Sequence, residues 1–361
     1  MNPNGRLAVY ANTNGIFYGS KIVDELNNII VKEQQKGVDE VFIKLKVPEV
    51  SVFPNSMLKV SLEETVRGED AFLVQWFPNP PGVEVSKLNS SRNKDEFFHS
   101  IAALFQAGVK RLTFVNPYVF DQRKDTLEGR DTVGAALFCQ QLSGVTNRER
   151  MQALCLDIHA QQIVGFYQMI NINLISVPVF QTYVDFIKNN YSSILNNAVW
   201  ILPDAGASKR GRVYSDLTGL STVMVDKRRI SPTEVQMIAF ASEGLDLKGK
   251  TGLLTDDILA SGSTAGKAVA FLKNEKGLLE SYWLITHPEI TNIKELDKMY
   301  DKGLFKKIFI ADTIKLPDRD YFIQVPTSQL MARIIYNIHT DQSIRKYLQV
   351  KAELNTNNQI V

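Results

Sequence analysis

A chain of 361 residues with 44% hydrophobic and 22% charged residues is long enough for two packed cores rather than one. Its 41 basic and 39 acidic residues leave a formal charge of +2, which argues against the broad basic face of a nucleic-acid binder. No apolar run approaches the roughly 18–20 residues of a membrane span, and the opening residues lack a basic-then-apolar leader pattern. A cytoplasmic protein without nucleic-acid or membrane partners is expected. Cys139 and Cys155 both lie in apolar surroundings and are expected as buried free thiols.

In chain order, apolar runs at 7–10, 71–76, 111–116, 152–158, 198–202, 222–225, 251–255, 281–286 and 307–311 predict strands. Several are continuously apolar and rich in β-branched residues, the pattern of strands covered on both faces. Helical periodicity marks 97–107, 181–188 and 264–274 between them. The segment 77–93 opens on Pro78, Pro80, Pro81 and Gly82 and reads as a loop. Strand and helix alternating in this way predict an α/β fold with mostly parallel sheets. A junction at 177–180 divides the chain into 1–178 and 179–325. A C-terminal helix and tail follow over 326–361, and residues 351–361 are mostly polar.

The segment with the most chemistry is Gly252-Leu-Leu-Thr-Asp256-Asp257-Ile-Leu-Ala260-Ser261-Gly262-Ser263-Thr264. An apolar strand runs into two adjacent acids, then into small hydroxyl-bearing residues, then into a helix. Ligands of open α/β sheets bind beyond the carboxyl ends of the strands. Small residues let backbone N–H groups approach a phosphate, and the helix adds its positive end. Ser261, Ser263 and Thr264 supply further donors. Asp256 and Asp257 are placed to accept from vicinal ribose hydroxyls or to reach a metal. An acid pair alone is usually just solvated; the acids, cradle and helix together point to a sugar-phosphate site.

This segment resembles the ribose-phosphate loop shared by type I phosphoribosyltransferases and ribose-phosphate pyrophosphokinases. Other segments select the second group. Val66-Arg67-Gly68-Glu69-Asp70 precedes a strand as in that family. Leu156-Asp157-Ile158-His159-Ala160-Gln161-Gln162 resembles its Asp-x-His signature. Leu202-Pro203-Asp204-Ala205-Gly206-Ala207-Ser208-Lys209-Arg210 is similar to its Pro-Asp-x-Gly-x-x-Lys-Arg block, and Val225-Asp226-Lys227-Arg228-Arg229 to its mobile basic loop. Thr286-His287 and Asp312-Thr313-Ile314 match later landmarks.

The resemblance implies two tandem type I phosphoribosyltransferase-like domains. It also implies transfer of diphosphate from ATP to the anomeric hydroxyl of ribose 5-phosphate, a step of nucleotide biosynthesis. It assigns the ribose phosphate to Asp256, Asp257, Ser261, Gly262, Ser263 and Thr264. Mg2+ falls to His159 and Asp204, and ATP to Phe53, Asn55, Arg123, His159, Lys227 and Arg229. Lys227, Arg229 and His159 carry the catalytic roles, in a homo-oligomer, dimer or hexamer.

Three positions depart from the family pattern. Met57 replaces a carboxylate after Phe53 and Asn55. Phe120 stands at an arginine position that Arg123 fills only after a small slip in alignment. Ala260 replaces a third acid of the ribose loop. Two alternatives therefore stay open: a larger acceptor such as ADP-ribose, and an inactive regulatory subunit.

Overall fold

In the computed structural model the described residues are 3–35, 42–80, 89–229, 235–241 and 244–349. The side chains of 227–229 and 235–236 lie outside that description, as does the polar tail at 351–361. The chain separates into two compact units. One comprises 1–177 with 312–315 and 326–348; the other comprises the remainder.

The first unit runs β1 (Arg6–Ala11), α1 (Ile16–Gln34), β2 (Leu45–Lys46), β3 (Glu49–Val52), β4 (Leu58–Ser61), β5 (Glu69–Val74), α2 (Ser90–Gln106), β6 (Arg111–Val115), α3 (Gly134–Thr146), β7 (Met151–Leu156), α4 (Gln162–Gln168) and β8 (Ile172–Val177). Strands β2-β1-β5-β6-β7-β8 form one sheet, parallel throughout. Every residue of β5 is buried, as expected of a strand with cover on both faces. Along α1, Ile22, Leu26, Ile29 and Ile30 fall on one face and are buried, the spacing of an amphipathic helix. The helical pattern expected from 97 starts earlier, at Ser90, where the Asn89 side chain accepts from the Arg92 N–H at 3.0 Å and caps the helix. Strands β3 and β4 form a separate antiparallel hairpin.

Cys139 and Cys155 are buried free thiols, and burial pushes both up to about 12. Neither thiol is therefore expected to react with a maleimide at neutral pH in the native protein, while both react in denaturant.

The second unit runs α5 (Phe180–Asn190), β9 (Ala198–Leu202), α6 (Ser208–Thr218), β10 (Thr222–Arg229), β11 (Val235–Ala241), β12 (Thr251–Ile258), α7 (Ser263–Lys276), β13 (Glu280–His287), α8 (Ile293–Asp301), β14 (Lys307–Ala311) and β15 (Phe322–Val325). Its sheet has the order β11-β10-β9-β12-β13-β14-β15. Only the β10–β11 pair is antiparallel among the described residues. The basic segment at 227–229, expected as a loop, is the end of β10: the ladder continues through Lys227↔Met237 to Arg229↔Val235.

After β15 the chain returns to the first unit as α9 (Thr327–His339), followed by α10 (Arg345–Leu348). Asp312 anchors that return. Its carboxylate accepts from the Thr327 hydroxyl at 2.8 Å, the Ser328 N–H at 3.1 Å and the Ser328 hydroxyl at 2.7 Å, holding the first turn of α9. At the far end, His339 Nδ1 lies 2.7 Å from the buried Asp70 carboxylate.

Candidate active site

In the second unit, the connections after β9 and β10 lead to one side of the sheet, and those after β12, β13 and β14 lead to the other. The topological switch point therefore lies between the neighbours β9 and β12, and ligands of open α/β sheets bind beyond such a point. The two loops leaving these strands carry most of the residues singled out in this half of the sequence.

Strand β12 is apolar and buried through Thr255, and its last positions are Asp256, Asp257 and Ile258. The Asp257 N–H donates to Asp256 Oδ1 at 2.9 Å. Burial raises Asp256 well above the usual carboxylate range, and the charge of Asp257 raises it further. Leu259 then plugs the core and donates its N–H to the His287 carbonyl. The Ser263 N–H donates to Ser261 Oγ at 3.3 Å, and α7 begins at Ser263.

Gly262 has φ of +72°, and a Cβ there would stand 2.8 Å from Leu296 Cδ2. The turn that presents the helix N-terminus thus requires glycine for both backbone and space. Gly262→Ala is expected to destabilise the second unit by about 1–2 kcal/mol and to weaken phosphate binding. Thermal unfolding together with phosphate titration checks it, and an alanine variant as stable as the parent contradicts it.

The β9 loop places Asp204 as N-cap of a short 3-10 turn, Ala205–Ala207, where its Oδ1 accepts from the Ala207 N–H at 3.1 Å. The Asp204 side chain is exposed. Arg210, in the first turn of α6, lies 3.9 Å from Asp257 Oδ2. Lys227 and Arg229 are placed by backbone on β10; their side chains lie outside the described residues.

The switch point of the first unit lies between β1 and β5. Buried polar side chains fill that crevice. Asn12 donates to Gln75 Oε1 at 2.8 Å, and the Ser100 hydroxyl donates to Asn12 Oδ1 at 2.7 Å. All three residues are fully buried. The two sheets therefore have unlike crevices, one plugged by its own amides and one bearing carboxylates and a helix N-terminus.

His159 is exposed just beyond β7, after Asp157 in the left-handed region at φ 42°. Its N–H is 3.4 Å from Oε1 of Gln122. Gln122 is fully buried, and its Nε2 has no partner among the described residues. Sequence reasoning missed Gln122, although it lies inside the Pro117–Lys124 segment compared with the family. Arg123 is exposed. Phe120 packs on Phe77 and Phe138 at 5.5 and 5.3 Å between ring centroids. It is part of an aromatic cluster and does not take over an arginine's work.

Phe53 and Asn55 occupy the tip of the β3–β4 hairpin. The Phe53 N–H donates to the Met57 carbonyl at 2.9 Å, and Ser56 turns the chain at φ 69°. Phe53 is 48% exposed, an aromatic face available for stacking. The Met57 N–H donates to Asn55 Oδ1 at 3.2 Å, so one end of the Asn55 amide serves the turn itself. Beneath the tip a cavity of about 260 Å³ is lined by Met57, Leu58, Arg92, Phe98 and His99 among others.

Among the described residues, no three His, Cys, Asp or Glu side chains gather into a metal cage. His159 and Asp204 suit a hard divalent ion only where phosphate oxygens and water complete its shell, which is how magnesium is held in nucleotide sites.

Comparison with known proteins places this arrangement. A sequence profile of the N-terminal domain of ribose phosphate pyrophosphokinase matches residues 21–145. The chain is 28% identical over 312 residues to the ribose-phosphate pyrophosphokinase of Bacillus subtilis, covering 85% of this chain and 90% of the relative. It is 29% identical over 300 residues to the enzyme of that name from Thermosipho africanus, covering 82% and 87%. The crystal structure of phosphoribosylpyrophosphate synthetase from Mycobacterium smegmatis shares the fold, with a TM-score of 0.75 at 20% identity, over 93% of this chain and 99% of that one.

Proposed function

We propose that this chain, which belongs to the ribose-phosphate pyrophosphokinase family, transfers diphosphate from ATP to the anomeric hydroxyl of ribose 5-phosphate, releasing AMP. The observation that carries the reading is the switch point between β9 and β12. A buried acid pair and the start of a 14-residue helix lie there in one short loop. In this reading Asp256 and Asp257 accept from the ribose hydroxyls. The backbone and hydroxyls of Ser261, Gly262, Ser263 and Thr264 seat the 5-phosphate.

Phe53 stacks on adenine, and Asn55 bonds the base edge. Arg123 approaches the triphosphate. Lys227 and Arg229 neutralise charge on the transferred group, because this chemistry needs positioning and electrostatics more than covalent help. His159 and Asp204 would hold the magnesium, which when bound offsets the charge of the phosphate oxygens. Gln122 fixes the backbone at His159. The family likeness also implies a homo-oligomeric, cytoplasmic enzyme. Among the described residues no helix is long and apolar enough to cross a membrane.

The test is AMP release from ATP and magnesium with ribose 5-phosphate, ADP-ribose or ribose as acceptor. Highest kcat/KM with ribose 5-phosphate supports the reading. A higher value with ADP-ribose replaces the acceptor, and no AMP with any of them removes the enzymatic reading.

A further inference from the structure

The acid pair has a third member, Arg210. Two adjacent carboxylates in a mostly buried site cannot both remain charged without compensation, and which of them keeps its charge decides which can accept hydroxyl protons. The side chains of Arg210 and Asp257 are each 13% exposed, and their closest atoms are 3.9 Å apart. That separation is longer than a fork-to-fork hydrogen-bonded pair. The cation thus neutralises Asp257 without clamping both its oxygens, and lone pairs stay available to a ligand.

Arg210 is held there by a stack of rings. Its guanidinium carbon lies 5.5 Å from the centre of the Phe180 ring. Phe180 meets Tyr214 edge-on at 5.2 Å, and Tyr214 stacks on Trp200 at 4.4 Å. Trp200 is fully buried in β9, so the cation's place is set by the core of the sheet.

We propose that Arg210 is a positioning residue for the acid pair: it keeps Asp257 ionised as an acceptor for ribose hydroxyls and leaves the pair's shared proton on Asp256. The Asp257 N–H bond to Asp256 Oδ1 orients the proton-bearing partner. The direction of the shift at Asp256 agrees, since burial and Asp257 raise it while Arg210 lowers it. Other titratable groups near the pair are His287, buried at the end of β13 opposite Ile258, and Tyr183, whose hydroxyl donates to the Ile285 carbonyl at 2.6 Å. Neither brings the fixed positive charge that Arg210 does.

The inference rests on reading this loop as the ribose site, and its test has one arm that does not. Carboxyl 13C titration by NMR is carried out on the full ligand-free chain, as wild type, Arg210→Met and Arg210→Lys. In parallel, kcat/KM for ribose 5-phosphate is followed against pH. Removing the cation raises the proton affinity of both acids. The expected result is an upward move of about one pH unit or more in the Asp257 midpoint of Arg210→Met. The acid limb of kcat/KM moves up with it, and Arg210→Lys falls between the two.

Unchanged titrations in both variants overturn the proposal, and a lower melting temperature alongside them assigns Arg210 to packing alone. A shifted Asp257 midpoint with an unmoved kinetic limb overturns its link to ribose binding. Should wild type release no AMP, the functional reading fails, while the ligand-free titration still decides the role of Arg210 at the pair. Arg210→Lys retains the aliphatic stem, so the titration arm remains decisive even if the methionine variant fails to fold.

Discussion

Lys227→Ala is expected to lower kcat by about 100-fold while leaving KM for ATP within about threefold. Charge that develops as diphosphate leaves AMP is better met by a cation that engages late than by one that binds the ground state equally well. The backbone supports such a role. Lys227 lies on β10, paired with Met237 of β11, and the ladder continues to Arg229↔Val235. Two cations on the arm of a hairpin can approach the phosphates as one unit, so Arg229→Ala should act similarly, and the double variant should lose less than the product of the two. Lys227→Met, which keeps the bulk of the side chain, separates charge from packing. A rise in KM alone, with kcat preserved, would mean that the arm only binds ATP.

Asp70→Ala is expected to cost about 3–5 kcal/mol of stability, the usual consequence of removing one partner from a buried charged group. Asp70 is fully buried at the start of β5. Arg111 Nε and an Arg111 terminal nitrogen donate to its two oxygens at 2.6 and 2.5 Å. His339 Nδ1 is 2.7 Å away. The same Arg111 terminal nitrogen donates to the Ile338 carbonyl at 3.0 Å, so the carboxylate and guanidinium together tie the end of α9 to the sheet. Without Asp70 both the guanidinium and the imidazole lose their acceptor. Urea unfolding measures the effect, and adding Arg111→Leu to Asp70→Ala should recover part of the loss. A single variant within about 1 kcal/mol of the parent would show that water replaces the carboxylate at no cost.

The neighbouring Glu69 behaves differently. Burial alone would raise its pKa, yet bonds from Lys46, Tyr10 and Arg6 overcome this and hold it below the ordinary carboxylate value. The Glu69 network lies at the amino end of β5, away from the carboxyl ends where the polar crevice sits, and its work is structural.

Much of the α/β framework was legible in the sequence. Each apolar run marked as a strand lies on or overlaps a strand of the structure, because continuous burial in a parallel sheet leaves a continuous apolar run. Strand β8 escaped because Asn173 interrupts its apolar run, and β15 because an edge strand of four residues is too short to establish a period. The end of β10 was misread for a physical reason. Three consecutive cationic residues look like a solvated loop, but an antiparallel partner satisfies the backbone whatever the side chains are.

The ribose loop was legible because its residues are contiguous. Partners far apart in sequence were not. Asp70 was noted only as part of a motif, since its imidazole partner is 269 residues away. Arg210 was noted in the same way, since its link to Asp257 and Phe180 exists only once β9 and β12 are neighbours. Phe120 read as a lost arginine, whereas its rings of contact with Phe77 and Phe138 give it a packing role of its own.

The central claim is that two phosphates move together onto the anomeric oxygen. Its most direct test uses ATP labelled at both the β and γ phosphorus, with ribose 5-phosphate and magnesium, and follows the products by phosphorus NMR. The account predicts unlabelled AMP formed one for one with a product carrying both labels as a diphosphate on C1. ADP appearing with a singly phosphorylated sugar, or nucleotide turnover indifferent to ribose 5-phosphate, would contradict it.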